Sequence, residues 1–364
     1  MRKVRRNHRF IGRKYTETNL TSLLRSHLFL PLLRYNICQI NGSRGNVPIP
    51  PARSSVAVSV GIAVFQTSEG QMTKQRFCVV LIKPSHYDDD GYVIQWFRSA
   101  IPSNSIAVLY GLTQECAAQE VLGDDVEFEI HAFDETNTHI LPAKVAALIK
   151  QAGNGLVMLV GVQSNQFPRA LDLSAQLRAS GIQVAIGGFH VSGTMAMLKD
   201  REPHVQKALD LGVSLFAGEA EGRLGRVLYD AFTHQLQPIY NYMDDLPNIE
   251  NVATPLLPAE RIHLTAGATT SFDAGRGCPF SCSFCTIINV QGRKSRRRSP
   301  EDIERIVRAN VAQGLHSFFI TDDNFARNKD WEAILDKLIH LREVEKMNIS
   351  FIIQVDTLCH KIPN

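Results

Sequence analysis

The chain has 364 residues, of which 44% are hydrophobic and 21% charged, and its formal net charge is +3. Its length accommodates about two domains, and its composition excludes a disordered, collagen-like or disulfide-scaffolded chain. The longest apolar run, residues 56–65, is shorter than the roughly 20 residues that a membrane-spanning helix needs.

A strongly basic segment opens the chain. Residues 1–53 contain 11 lysines and arginines and one acid, Glu17, whereas the remainder carries 28 bases and 35 acids. Such a segment is typical of a targeting peptide or a nucleic-acid-binding arm, and it also fits an over-extended reading frame. We favour the last, with Met72 as the natural initiator. Residues 1–73 show no sustained helical or strand periodicity, so we predict that they form a disordered or non-native extension. The mildly acidic remainder predicts no nucleic-acid partner.

From residue 76 onward, apolar runs alternate with amphipathic segments. Strands are predicted over residues 77–82, 126–133, 156–162, 182–186 and 214–217, and helices over residues 106–116, 144–151, 168–180, 204–211 and 222–232. Strands that are apolar on both faces indicate a parallel sheet covered by helices on both sides. The predicted fold is therefore an α/β domain with a Rossmann-like parallel sheet over residues 74–240.

Three polar or glycine-rich turns follow the carboxyl ends of these strands, at residues 163–165, 187–190 and 218–222. Open parallel sheets bind ligands beyond these ends, and paired glycines let a large ligand approach the backbone. A glycine pair alone is also typical of a tight strand-to-helix turn. Three such turns together favour a binding site.

At these residues the domain resembles the cobalamin-binding module found ahead of radical S-adenosylmethionine (SAM) domains. The resemblance covers residues 155–236 well and residues 76–150 more loosely. It implies that cobalamin is surrounded by Ser164, Gly187, Gly188, Gly218 and Glu219. Residues 85–91 depart from the Asp-x-His-x-x-Gly motif that supplies a lower cobalt ligand in cobalamin mutases, so we expect cobalt without a protein histidine below it. A module that keeps the fold without the cofactor is the alternative.

The most specific motif is a group of three cysteines. Cys278, Cys282 and Cys285 have the spacing C-x3-C-x2-C. An odd number of thiols argues against a disulfide framework, and a structural zinc site would require a fourth ligand that no nearby residue supplies at a usual spacing. Three thiolates suit a [4Fe–4S] cluster that leaves one iron open, with zinc as the alternative metal.

This cysteine motif closely resembles that of the radical SAM superfamily. The resemblance implies that SAM binds the open iron and is cleaved to a 5′-deoxyadenosyl radical by an electron from the cluster. It further implies SAM contacts from Phe284, beside the third cysteine, and from Asp322 and Asp323 after a predicted strand. Gln354 is a weaker candidate at the end of the next strand. For the two aspartates, capping of the following helix is the alternative.

The segment after residue 266 predicts the first part of a partial (β/α)6 barrel. Strands are expected over residues 269–273, 317–321 and 349–355, and a helix begins with Ser299 as N-cap and Pro300 at its first position. Residues 293–298, with five charges in six positions, predict a solvated loop; a nucleic-acid patch or one SAM-binding arginine are the alternatives. We expect residues 241–265 to be a linker and residues 266–364 an incomplete half-domain, a fragment that does not turn over SAM.

Together, the two resemblances imply a cytoplasmic radical SAM enzyme. Its leading reaction is cobalamin-dependent methyl transfer to an unactivated carbon or to phosphorus of a small-molecule substrate. An electron donor such as flavodoxin or ferredoxin is the expected partner. Oxidative or cyclising radical chemistry, and a non-catalytic cluster- or zinc-binding protein, are the alternatives.

Overall fold

The computed structural model of the protein describes residues 74–198, 202–280, 282–283, 285–322 and 324–355. The basic segment 1–73, with Met72, lies outside the described residues, as do the SAM candidates Phe284 and Asp323. Among the described residues, no helix combines the length and hydropathy that crossing a membrane requires.

A six-stranded sheet forms the larger layer. Its strands are β1 (Gln75–Lys83), β2 (Val126–Asp134), β3 (Gly155–Leu159), β4 (Gln183–Gly187), β5 (Ser214–Ala217) and β6 (Ile239–Asn241). Their order is β2-β1-β3-β4-β5-β6, and all neighbours pair in parallel. The order reverses between β1 and β3, which is the topology that opens a ligand crevice at the carboxyl ends of the strands.

Helices cover both faces of this sheet, as predicted. They are α1 (Asn104–Ala118), α2 (Pro142–Ala152), α3 (Phe167–Ala179), α4 (Phe189–Met197), α5 (Pro203–Asp210) and α6 (Leu224–Phe232). Alternate residues of β1 point into two separate cores: Val80 packs with α2, α3 and α5, whereas Val79 packs with α1 and α6. Because β1 is buried on both faces, its sequence is a continuous apolar run.

A second, three-stranded parallel sheet follows. It consists of β7 (Thr269–Phe272), β10 (Ser317–Ile320) and β11 (Ser350–Ile352), in the order β11-β10-β7. Helices α9 (Pro300–Val311) and α10 (Trp331–Ile339) contribute to its core. The predicted start of α9 is confirmed, because Ser299 Oγ accepts from Asp302 N at 3.1 Å while Asp302 Oδ2 accepts from Ser299 N at 3.0 Å, forming a capping box.

Shorter elements precede the second sheet or lie between its first two strands in the chain. They are α7 (Ala259–Ile262), the antiparallel pair β8 (Gly275–Arg276) and β9 (Arg296–Arg297), and α8 (Ile287–Val290). The segment predicted as a linker packs firmly on α1: Leu256 N donates to Ala107 O at 3.1 Å, and Ile249 and Leu257 are buried. Leu257 thereby joins the core that α1 and α6 form on one face of the larger sheet.

Candidate functional site

A cavity of about 960 Å³ lies at the carboxyl ends of β3, β4 and β5. Its other walls are the start of α1, the helix α4, and residues next to the cysteine loop, including Arg276 and Thr286. All five predicted cobalamin-contacting residues line it, namely Ser164, Gly187, Gly188, Gly218 and Glu219. The fold thus brings together three turns that the sequence separates, in a space at the upper end of the size range of small-molecule pockets.

Two of these glycines are required by the protein chain itself. Gly188 has φ +138°, and a Cβ added there would lie 2.2 Å from Val162 N. Gly218 has φ +106°, and its added Cβ would lie 3.1 Å from the backbone of Tyr242. Close crossing of neighbouring turns therefore requires glycine at both positions, as the alternative of a tight strand-to-helix turn implied, and approach of a ligand to them stays a prediction.

His190 is a cavity residue that the sequence analysis missed, although it follows the glycine pair directly. Its Nδ1 lies 3.1 Å from Ser164 Oγ, and its ring centroid lies 4.2 Å from that of Phe167. Burial lowers the pKa of His190 despite the nearby Glu202 carboxylate. The cavity wall therefore presents a neutral imidazole at neutral pH.

Glu219, predicted as a cobalamin contact, is engaged by two arginines. Its Oε2 accepts hydrogen bonds from Arg276 Nη1 at 2.9 Å and from Arg296 Nη1 at 2.7 Å, and Oε1 also contacts Arg296 Nη2. These bonds tie the turn after β5 to both strands at the base of the cysteine loop. Glu219 thus links the turn after β5 to the base of the cysteine loop.

Arg276, two residues before Cys278, is the centre of this network. Its Nε donates to Asp273 Oδ2 at 2.8 Å, and its Nη2 lies 2.7 Å from Glu221 Oε1. Burial alone would lower the pKa of Arg276, but its three acidic neighbours outweigh burial and raise it well above the usual value. The guanidinium is therefore a permanent cation surrounded by carboxylates.

Asp273 joins the network from the end of β7. Arg298 donates from Nε to the carbonyl oxygen of Asp273 at 2.9 Å and places Nη2 3.4 Å from its Oδ1. Burial would raise the pKa of Asp273, but the Arg276 and Arg298 guanidiniums hold it well below the usual range. The carboxylate is therefore charged, and each buried charge in this group has an opposite partner, as burial requires.

The prediction of a solvated loop over residues 293–298 is wrong for two of its arginines. The side chain of Arg296 is 10% exposed and that of Arg298 only 1%. A run of five charges in six positions predicts exposure to solvent as long as the acidic residues that pair with these charges cannot be identified from the sequence. Arg296 and Arg298 are two positions apart, so in an extended chain both side chains lie on the same side. This spacing was the one sign in the sequence that the two arginines could be buried together.

The cysteine loop is closed at its base by backbone pairing. β8 and β9 lie at its two ends, Arg298 N donates to Ala274 O at 2.8 Å, and Cys278 N donates to Gly292 O at 3.2 Å. Cys282 is exposed, while Cys278 and Cys285 are half-buried, and all three are free thiols. Because these thiols are accessible and lie on a loop that is closed at its base, they are better suited to binding a metal centre than to packing in a hydrophobic core.

The geometry of these thiols bears on the choice between zinc and a cluster. In a tetrahedral zinc site with Zn–S bonds of about 2.3 Å, sulfurs lie about 3.8 Å apart. Among the described residues, the three sulfurs do not all lie within 4.8 Å of one another. The three thiols are therefore not gathered around a single ion position, and a [4Fe–4S] cluster, which bonds each thiolate to a different iron, does not require them to be.

One other group of metal-ligating atoms exists among the described residues. Cys78, Glu129 and His131 have ligand atoms within 4.8 Å of one another on β1 and β2. Arg76 pairs with Glu129, and burial raises the pKa of Cys78 to about 12. A neutral thiol beside an already paired carboxylate is a poor metal site.

The remaining described SAM candidates, Asp322 and Gln354, are not among the residues that line the cavity. Asp322 is buried, and its Oδ1 accepts from Ala274 N at 2.7 Å and Gly275 N at 3.0 Å. It therefore fixes the strand that leads to the cysteines. Gln354 is exposed, and its carbonyl oxygen accepts from Phe325 N at 2.9 Å. Contacts of Asp322 and Gln354 with SAM stay predictions.

Comparison with known families identifies the part of the chain around the cysteines. Residues 273–358 match the model of the radical SAM superfamily. This part of the chain is a radical SAM segment. The matched range begins at Asp273 and contains all three motif cysteines, so the predicted resemblance is confirmed for this segment.

The radical SAM segment and the sheet before it also have a structural counterpart. The structure of the radical SAM methyltransferase TsrM from Kitasatospora setae, with cobalamin and a [4Fe–4S] cluster bound, superposes with a TM-score of 0.51 and 13% sequence identity. The match covers 74% of this chain and 52% of that one. The predicted fold class, a Rossmann-like parallel sheet followed by radical SAM elements, is confirmed.

Two curated methyltransferases are similar to part of the chain in sequence. Bacteriochlorophyllide d C-8(2)-methyltransferase of Chlorobaculum tepidum is 25% identical over 194 residues, covering 48% of this chain and 40% of that protein. Hopanoid C-2 methylase of Rhodopseudomonas palustris is 26% identical over 176 residues, covering 48% of this chain and 31% of that protein. The chain thus spans less than half the length of either relative.

Proposed function

We propose that this chain belongs to a radical SAM enzyme that uses cobalamin to transfer a methyl group to an unactivated carbon or to phosphorus of a small molecule. The observation that carries the proposal is the cavity, which has the predicted cobalamin-contacting turns on one side and residues flanking the cysteine loop on the other. In this proposal, residues 74–240 form the cobalamin-binding domain, residues 241–265 connect the two parts, and residues from 266 onward form the radical SAM part.

The cysteine loop would hold the [4Fe–4S] cluster through Cys278, Cys282 and Cys285. When bound, the cluster would supply the electron that cleaves SAM at an iron without a protein ligand. The chain contributes a closed loop base, held by Asp322 at Ala274 and Gly275.

The cavity would hold the corrinoid. Its lining mixes apolar side chains with polar groups of the turns, among them Ser164 and His190, and a corrin ring rimmed by amide side chains needs both kinds of contact. That TsrM binds cobalamin and a [4Fe–4S] cluster, and that both curated relatives are methylases by name, supports the assignment.

The partners follow from this chemistry. Reduction of the cluster requires a one-electron donor, and we propose a flavodoxin or ferredoxin. The use of three cysteines as metal ligands favours a reducing compartment, the cytoplasm.

Anaerobic reconstitution of the full chain with iron and sulfide tests the cluster. We expect about four iron atoms per chain and a visible absorption band that dithionite bleaches. Cys282→Ala should lose both, while Cys116→Ala, which alters a buried cysteine in the larger domain, should keep them. A colourless protein that retains zinc, or full iron content in the Cys282→Ala protein, would contradict the proposal.

Cobalamin binding is tested separately. The reconstituted chain should retain hydroxocobalamin through desalting at close to one per chain, as measured by its absorption spectrum. A chain that carries the cluster but releases all cobalamin would favour the alternative, radical chemistry of the oxidative or cyclising kind.

A further inference from the structure

A serine and a histidine from two different turns meet in the wall of the cavity. Ser164, in the turn after β3, is exposed, and both it and His190, the second residue of α4, line the cavity. His190 Nδ1 lies 3.1 Å from Ser164 Oγ, which is a hydrogen-bond distance. The Ser164 hydroxyl therefore has a partner within the protein while its side chain remains accessible from the cavity.

The backbone holds this pair in register. His190 N donates to Val162 O at 3.0 Å, and Val162 N donates to Gly187 O at 3.1 Å, so the turns after β3 and β4 are tied together. The imidazole packs beside the buried ring of Phe167, with centroids 4.2 Å apart, and the His190 side chain is only 11% exposed. Each ring nitrogen therefore faces a defined neighbour.

The far side of the ring faces a carboxylate. His190 Nε2 lies 3.8 Å from Glu202 Oε2, which is too far for a hydrogen bond but close enough for the charge to act. Glu202 is itself fixed, because Oε2 accepts from Val205 N at 2.9 Å at the start of α5. A neutral imidazole has one N–H and one acceptor nitrogen. A proton on Nε2 faces the carboxylate favourably, whereas a bare Nε2 would direct its lone pair at it. Nδ1 is therefore the acceptor.

We propose that His190 is a positioning residue, which accepts the Ser164 O–H at Nδ1 and so turns the lone pairs of the Ser164 oxygen toward the ligand. The ligand group that meets Ser164 is then a hydrogen-bond donor, a hydroxyl or an amide N–H, and not an acceptor. The inference rests on the proposed function for the identity of the ligand, since cobalamin offers both kinds of donor. The position of the His190 proton does not depend on the ligand.

The proton is located first, without ligand. The full chain is labelled with nitrogen-15 histidine, and its ring nitrogens are observed by NMR at pH 7. The ring signal that is missing from the His190→Asn spectrum belongs to His190. We expect a protonated Nε2 and an unprotonated Nδ1, and we expect Ser164→Ala to shift the Nδ1 resonance more than that of Nε2. A proton on Nδ1 would overturn the inference.

Two substitutions of His190 then separate positioning from packing. The amide of asparagine reaches the position of Nδ1, whereas the longer glutamine places its amide near the position of Nε2. Hydroxocobalamin binding is measured by equilibrium dialysis at pH 7. We expect His190→Gln to bind about fivefold or more weakly than the wild-type chain, and His190→Asn to recover most of that loss. Packing against Phe167 alone predicts the opposite order, because glutamine fills more of the space of the ring.

Two controls assign the difference to the hydroxyl. In a Ser164→Ala background the Asn and Gln variants of His190 should bind equally, because no hydroxyl remains to be held. His204 also faces Glu202, with Nδ1 3.4 Å from Oε1, but its side chain is 57% exposed and does not line the cavity. His204→Gln should therefore bind hydroxocobalamin as the wild-type chain does.

The outcomes separate the inference from the proposed function. A wild-type chain that does not bind hydroxocobalamin contradicts the proposed function, and the NMR spectra of the ligand-free chain then decide the inference. Equal affinities of His190→Asn and His190→Gln, both with a wild-type circular dichroism spectrum, overturn the inference alone, as does an asparagine advantage that persists in Ser164→Ala. Should neither His190 variant fold, an unprotonated Nδ1 resonance that shifts in Ser164→Ala supports the inference, and its absence overturns it.

Discussion

The cysteine loop and the neighbouring cavity are the two parts of the proposed site, but they are specified in opposite ways. The three thiols lie within eight residues of sequence, on a loop that β8 and β9 close locally. The cavity combines residues as far apart as Asn104 and Thr321. The ion network beside it joins the end of β7, the turn after β5 and the far end of the cysteine loop. A metal motif is therefore a local property, whereas a balanced set of buried charges is a property of the whole fold.

The largest expected effect comes from removing the central cation. Arg276→Met leaves the buried carboxylates without their shared partner, and breaking a buried pair in this way costs about 3–5 kcal/mol. Urea unfolding of the metal-free chain at pH 7 measures the loss. The same measurement on Cys282→Ala should show a loss of less than about 0.5 kcal/mol, because this thiol is exposed. The comparison would show that the ion network, and not the cysteine loop, stabilises the fold.

Arg297 offers a matched control for that experiment. It lies next to Arg296 in sequence, but its side chain is 32% exposed and pairs with Asp330. Arg297→Ala should cost no more than about 1 kcal/mol, as exposed ion pairs do. Equal losses for Arg276→Met and Arg297→Ala would show that the buried network is not what joins the two regions.

Substitution of a single glycine should disrupt the wall of the cavity. Gly188→Ala places a methyl group 2.2 Å from Val162 N at φ +138°, and we expect a loss of about 2–3 kcal/mol or more from clash and strain combined. Gly91, with φ +86° and open space around it, is the control, at about 1 kcal/mol from strain alone. Thermal unfolding reports both, and hydroxocobalamin retention should fall only for Gly188→Ala.

Acid should weaken the network in a defined direction. The pKa of Asp273 is depressed by Arg276 and Arg298 against the effect of burial, so its contribution to stability is complete above its unfolded pKa of about 4. That contribution is lost as the pH falls from there toward the folded value. The free energy of unfolding should therefore decrease with acidification below about pH 4.5.

Asp273→Asn tests that assignment. Removing the titrating group should flatten the acid limb by up to about 1.4 kcal/mol per pH unit, measured as urea midpoints between about pH 3 and 6. An unchanged slope would assign the acid sensitivity to other carboxyl groups.

The smallest expected effect concerns a helix start in the radical SAM segment. Ser299→Ala removes the cap of α9, at a cost of about 1 kcal/mol. Ser103 occupies the same position before α1 but makes no side-chain cap hydrogen bond, so Ser103→Ala should be close to neutral. A shift in melting temperature for Ser299→Ala alone would confirm that the capping box, and not the serine as such, stabilises the helix.

The sequence predicted the two sheets well because their signals are local. Strands such as Phe77–Ile82 are continuous apolar runs, and alternation with helices leaves few topologies. α4 was missed because its sequence, with Gly193 in its middle, has no clear amphipathic period; its start is held by contacts such as Ser192 Oγ with Gly218 N at 3.0 Å. β6 was missed because three residues at a sheet edge carry too little pattern.

The candidate site was predictable in part. The positions of Ser164, Gly187 and Gly218 follow from the rule that ligands bind beyond the carboxyl ends of parallel strands, and all three line the cavity. The engagement of Glu219 by Arg296 did not follow, because their 77-residue separation leaves no local trace.

By itself, the sequence determined the fold class and the three thiols of the metal motif, because hydrophobic period and ligand spacing are set by neighbouring residues. Only the tertiary structure decided which charges are buried and which opposite charges they meet. The physical reason is that a charge can be buried only where an opposite charge meets it. For Arg276, Arg296 and Arg298, partners come from chain segments that folding alone brings together.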